Sequence, residues 1–132
     1  MSELFSLEIV NPEKSFLSLD DVNEVVVPAY EGEIGILKDH ISIISFLKPG
    51  IMKIFRNNME DKFYIEDGII EFKDNTLSIL TSSIVKLNEI NKSFIEDTLK
   101  EAEKNLLKED ITDQQRFLIL QKIDTLKSVV IN

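Results

Sequence analysis

At 132 residues the chain is long enough for one domain with an appendage, and its 43% apolar content can bury a core. A formal net charge of −9 argues against a general nucleic-acid binder, which needs a basic stripe to meet phosphates, and against direct adsorption to anionic lipid. The absence of Cys rules out disulfides, thiolate metal sites and a Cys nucleophile, and fits a reducing compartment.

The charge is uneven. Residues 1–87 hold 15 acidic and 8 basic side chains, whereas residues 88–132 hold 9 and 7. The first part therefore repels other anions or meets a basic partner. No apolar run approaches the roughly 20 residues that span a bilayer, and Glu3, Glu8 and Glu13 interrupt any signal-like start. Work at a membrane would need another subunit to hold the chain there.

In chain order, Phe5, Leu7 and Ile9 alternate with Ser6, Glu8 and Val10, the period of a half-buried strand, broken by Asn11-Pro12-Glu13. Phe16, Leu17 and Leu19 form a second apolar patch. Val22 to Val27 is rich in β-branched residues and is expected to stop at Pro28, which cannot donate to a ladder. Gly32 and Gly35 then suggest a tight bend carrying Glu31 and Glu33 and ending in the sole histidine, His40. Ile41 to Leu47 is a near-continuous apolar run. Pro49-Gly50, Asn57-Asn58, Asp67-Gly68 and Asp74-Asn75 read as turns, with Asp67-Gly68 a possible hairpin. Short strands punctuated in this way predict a β-sandwich or barrel.

The period changes near residue 88. Ile95, Leu99, Ala102 and Leu106 make one helical stripe, and Ile119, Ile123, Leu126 and Val130 repeat it. Ser93 to Glu96 matches a capping box, with Asn91 an alternative cap; Thr112 to Gln115 is a second box. Lys108-Glu109-Asp110 separates the two, which predicts an antiparallel helical hairpin. The stripes must meet each other, the sandwich or a partner. Ordinary packing is one reading, and a movable hairpin that leaves the sandwich and rebinds elsewhere is the other. The expected class is α+β, with a β-sandwich over 1–87 and a helical hairpin over 88–132.

Chemistry is sparse. His40 would need at least two more ligands to hold a metal, and no second His or any Cys supplies them. As a general base it lacks a nucleophile, because Ser42 and Ser45 sit in an apolar strand-like run. Glu31 and Glu33 could do acid–base work only if one were buried. Exposed loop acids that meet a partner fit better. Gly32 and Gly35 form neither a phosphate loop nor a dinucleotide fingerprint. No catalytic, cofactor or metal residue is therefore expected. A free-standing ligand-binding sandwich with a pocket between sheet and hairpin is the alternative.

Four segments resemble one family in order. EIVNPEKSF is similar to its V-x-x-P-E-x-x-x-F opening, VVVPAYEGEIGILKDH to its P-g-x-x-G-E-x-G-i-l-p-g-H signature, and FLKPGIMKI to its L-k-P-G turn. IEDGIIEFKDNTLSILTSSI is similar to its closing strands. The chain thereby resembles the epsilon subunits of bacterial F-type ATP synthases over essentially its whole length. The resemblance implies a β-sandwich of about ten strands and a C-terminal hairpin. It also implies a non-catalytic rotor subunit at the foot of the central stalk, peripheral at the cytoplasmic face of the bacterial inner membrane. Its partners would be the gamma subunit and the polar loops of the c-ring, the latter met by Glu31, Glu33 and His40.

Three departures stand out. Lys38-Asp39-His40-Ile41 keeps the family histidine but loses the Gly before it and a Pro after it. Asp67 replaces the first glycine of a family pair. Some relatives bind ATP on the hairpin through [IL]-D-x-x-R-A, whose Asp and Arg are here Asn91 and Phe94. Without the charge-assisted donor, no strong ATP binding is expected. In some relatives the hairpin opens, inserts beside gamma and blocks ATP hydrolysis, with basic residues facing acidic residues of beta. Here the last helix offers only Arg116, Lys122 and Lys127 before an apolar Val129-Val130-Ile131 end, so hairpin contact with the alpha and beta subunits stays an open alternative.

Overall fold

The structure, a computed structural model, describes residues 3–13 and 15–129. Ten strands come first: β1 (Phe5–Val10), β2 (Ser15–Val22), β3 (Glu24–Ala29), β4 (Gly32–Leu37), β5 (Ile43–Leu47), β6 (Gly50–Arg56), β7 (Met59–Ile65), β8 (Gly68–Lys73), β9 (Thr76–Leu80) and β10 (Ile84–Lys86). A single 3-10 turn at Leu87–Glu89 leads into α1 (Lys92–Leu106) and α2 (Asp113–Ser128). Val130 and Ile131, assigned above to the second stripe and its apolar end, lie outside the described residues.

The strands form one ladder in the order β10-β7-β6-β3-β5-β8-β9-β1-β2, with β4 beside β3. The sheet doubles over at β3. Its first residues, Glu24 to Val26, pair with β6, while Ala29 pairs with Leu47 of β5. Pro28 falls between these two pairings, where the strand is changing neighbours and a missing N–H costs no ladder bond. The strand therefore runs through Pro28 instead of stopping before it. Gly50 lies against this crossing, and a Cβ there would stand 2.5 Å from Pro28 Cβ.

Alternation along each strand sends one set of side chains inward. Val25, Ile54 and Ile65 from one layer meet Ile9, Ile70 and Leu77 from the other, all fully buried. The open margin is tied where β2 approaches β6 and β7. Phe16 sits edge-on to Phe63 at 6.0 Å, and Arg56 binds both carboxylate oxygens of Asp21, at 3.0 and 3.1 Å. That guanidinium holds the Asp21 carboxyl below its ordinary pKa.

Two further expectations change. Asp67-Gly68 is not a hairpin: β7 pairs with β6 and β10, and β8 pairs with β5 and β9, so the chain crosses between layers there. Asp67 clamps the crossover, its carbonyl accepting from the Thr81 hydroxyl at 2.7 Å and its carboxylate from the Ser82 N–H at 3.2 Å. The glycine stretch is not a bend either. Gly32 to Leu37 is strand β4, antiparallel to β3, and the tight turn is the two-residue loop Tyr30–Glu31 just before it. Gly32 takes φ +138° where the loop enters the strand.

At the helices, Asn91 is the cap of α1, accepting from the Phe94 N–H at 2.8 Å, so the helix begins ahead of the Ser93 box. Thr112 and Gln115 form the reciprocal capping box of α2, at 3.1 and 2.9 Å.

Candidate functional site

The three residues that resemblance singles out are not one cluster. Glu31 lies in the β3–β4 loop and Glu33 in β4 opposite Pro28, both exposed. His40 follows the far end of the same strand, its N–H donating to Leu37 O at 3.1 Å. At roughly 3.3 Å per residue, about 20 Å of strand separates Glu31 from that end. The His40 ring donates from Nδ1 to Ile41 O at 2.7 Å, which a carbonyl can only accept, and meets the Phe72 ring edge-on at 5.9 Å. Beside it, Asp39 with φ 66° exchanges hydrogen bonds with Asn75 at 2.7 and 3.0 Å, tying this loop to the β8–β9 turn. This half-buried, anchored histidine has no acid–base partner at Glu31 or Glu33.

The outward faces of the two layers differ. On β5, β8 and β9 an apolar row lies bare. Phe46 pairs with Ile69, Ile69 with Leu80, and Leu80 with Val10 of β1. Phe46 is 61% exposed, Leu80 47% and Ile69 40%, and Ile44 alongside is 69%. The next row runs Ile44, Glu71, Ser78, Glu8, so carboxylates border the patch. A contiguous apolar surface of this kind marks an interaction site. Sequence reasoning passed over it. The available signal was apolar residues in both phases of the alternation, at Ile43-Ile44 and Ile69-Ile70, where a one-faced strand needs only one phase.

On β6, β7 and β10 the corresponding row, Ile51, Tyr64 and Val85, is covered by the hairpin. Ile90, Phe94, Ile95, Leu99 and Leu126 close over it, with Tyr64 and Leu126 each only 1% exposed. The helices meet this face, and these side chains fill the contact between sheet and hairpin. Asn91 is committed to the cap and Phe94 to an edge-on contact with Tyr64 at 6.1 Å.

Polar contacts flank the apolar ones. Lys122 of α2 lies 3.2 Å from the Glu66 carboxylate, which also accepts from the Tyr64 hydroxyl at 2.8 Å. Burial first, and then the charge of Glu66, push the Tyr64 phenol well above its ordinary pKa. The Thr125 hydroxyl, which donates to Gln121 O within α2 at 2.8 Å, also lies 3.3 Å from Pro49 O. Nearer the hairpin tip, Gln114 Nε2 donates to Tyr30 Oη at 3.0 Å, the Tyr30 and Phe117 rings stack at 5.9 Å, and Lys48 Nζ lies 5.9 Å over Phe117.

Among the described residues no group of three or more His, Asp or Glu could hold a metal ion, and no helix is long and apolar enough to cross a membrane. The arrangement suits docking of macromolecules, with one bare apolar face, one acidic strand end and a helical cover.

Comparison with known proteins agrees. Residues 4–87 match the family described as ATP synthase, delta/epsilon chain, β-sandwich domain. The chain is 64% identical over 129 residues to the ATP synthase epsilon chain of Pelagibacter ubique, covering 98% of this chain and 99% of that one. It is 34% identical over 102 residues to the epsilon chain of Pelotomaculum thermopropionicum, covering 77% and 75%. Among solved structures, a chain of the Euglena gracilis mitochondrial ATP synthase OSCP/F1/c-ring assembly superposes with a TM-score of 0.77 at 22% identity, covering 97% of this chain and 82% of that one. One from the Tetrahymena thermophila mitochondrial ATP synthase central stalk and c-ring gives 0.68 at 17%, covering 92% of each. At these identities the structural likeness speaks for the fold. The sequence matches speak for descent: the chain belongs to the ATP synthase delta/epsilon family, as a relative of epsilon chains, which are stalk subunits and not the catalytic ones.

Proposed function

We propose that this chain is a rotor subunit that joins the gamma subunit to the c-ring of a proton-translocating ATP synthase, at the cytoplasmic face of a bacterial inner membrane. The observation that carries the reading is the bare apolar row Phe46–Ile69–Leu80 on a face that the hairpin does not cover. Torque passes only through a contact that does not slip, and a packed apolar face on a stiff sheet supplies one. Gamma takes this face. The exposed carboxylates of Glu31 and Glu33 meet cationic loop residues of the c-ring, with His40 as the third contact. Because Glu31 and His40 lie at opposite ends of β4, contact through all three requires the strand to lie along the ring and not end-on.

Residues 1–87 and 88–132 act as separable units in this reading, with coupling in the first and any restraint of ATP hydrolysis in the second. Reconstituted F1 is assayed for ATPase activity and for coupling to the membrane sector with the full chain, with residues 1–87, and with neither. Equal behaviour of the two versions assigns function to the sandwich, and a difference assigns regulation to the hairpin. No association of either with gamma or F1 overturns the reading.

A further inference from the structure

The Tyr30–Glu31 loop faces two ways. Glu31 is exposed, and it is one of the carboxylates placed above against the c-ring. Tyr30, its immediate neighbour, holds α2 through the Gln114 hydrogen bond and the Phe117 stack. The loop has only two residues between the paired Ala29 and Gly32, and the Tyr30 N–H is fixed to Phe46 O at 3.0 Å, so it has little slack. A shift of about 1 Å takes a 3.0 Å hydrogen bond out of range. The remaining apolar docking contact centres on three buried residues, Tyr64, Ile90 and Leu126, with the rest of its apolar members only partly buried. Contacts of this kind open locally well below the cost of global unfolding.

We propose that the Tyr30–Glu31 loop is a release catch for the hairpin: a cationic partner that draws on Glu31 displaces Tyr30 and frees α2. The catch itself is a property of this chain; its trigger rests on the c-ring reading of Glu31. Two sites and two states, docked and undocked, are thereby coupled through one loop.

The test is amide hydrogen exchange on the full chain. Tyr30→Phe and Gln114→Ala each remove the hydrogen bond and keep the rest of the contact. Each is expected to speed exchange of α2 amides by roughly three- to tenfold, the scale of one neutral hydrogen bond, with β8 and β9 amides unchanged. The double variant should exceed neither single one, since both remove the same bond. Exchange at wild-type rates in both single variants overturns the catch.

Purified c-ring in detergent is then added, with binding read in the same samples. Binding with faster α2 exchange supports the trigger, and binding with unchanged or slower exchange overturns it. Absence of binding, with α2 still loosened by Tyr30→Phe, overturns the c-ring reading and supports the catch alone.

Discussion

Lys122 of α2 and Glu66 at the β7–β8 crossover stand 3.2 Å apart, and both side chains are less than a third exposed. Glu66→Gln removes the charge and leaves an acceptor for Tyr64. The expected cost to hairpin docking is about 1 kcal/mol, larger than for a fully solvated pair because water screens it less. Thermal melts of wild type and variant should converge as salt is raised to about 1 M, where the Debye length falls to about 3 Å.

Tyr64 makes docking sensitive to alkali. Its folded pKa is raised above the ordinary 10.0, first by burial and then by Glu66. The unfolded chain therefore loses the phenol proton first. The stability contributed by this group is whole below pH about 10 and declines as pH rises beyond it. Melting temperature should fall between about pH 9 and pH 11 in wild type and fall less in Tyr64→Phe.

Gly50 tolerates no side chain at the point where β3 crosses between layers. Alanine would set a methyl 2.5 Å from Pro28 Cβ, so the fold must shift. Gly50→Ala should destabilise the sandwich by about 1–3 kcal/mol in urea unfolding, the range for overpacking. An unchanged midpoint would show that the crossing is more pliable than its geometry suggests.

The bare face separates folding from assembly. Phe46→Ser with Leu80→Ser changes residues that are 61% and 47% exposed, so the melting temperature should stay within a few degrees of wild type. Capture of the gamma subunit should drop at least tenfold, because apolar anchors at the centre of an interface carry most of its energy. Undiminished capture would move the gamma contact elsewhere.

Nucleotide should not bind tightly. Asn91 and Phe94 stand where the family resemblance would imply an acidic and a basic residue for nucleotide; Asn91 is engaged in the α1 cap and Phe94 in the contact with Tyr64. Calorimetric titration of the full chain with ATP is expected to give no micromolar binding, for lack of the charge-assisted donor.

Local signals in the sequence were read well and long-range ones poorly. The Thr112–Gln115 box and the apolar stripes depend on neighbours within a turn: α2 starts at its box, α1 at the alternative Asn91 cap, and the described stripe residues, Ala102, Ile123 and Leu126 foremost, turn inward. The sandwich-or-barrel class followed from alternation and turn residues, and the count of about ten strands from the family resemblance; Asn57-Asn58 and Asp74-Asn75 do adopt positive φ. Pro28, Asp67-Gly68 and the glycine stretch were misread for one shared reason. Whether a residue turns or continues depends there on which distant strand lies beside it, as Pro28 depends on the handover from β6 to β5. The bare apolar row left only a second apolar phase on single strands, at Ile43-Ile44 and Ile69-Ile70, since the row itself exists only across four.

The first strand has its own consequence for synthesis. β1 lies between β2 and β9, and its parallel register sets Ser6 beside Thr76. A chain emerging from the ribosome can form the β1–β2 ribbon at once, but one edge of β1 stays unpaired until the ninth strand has been made. Such late closure slows folding and leaves an edge open to other nascent chains. Fragments that end before Thr76 should consequently be sticky and unfolded, so truncations made for assembly studies have to keep the whole of β9.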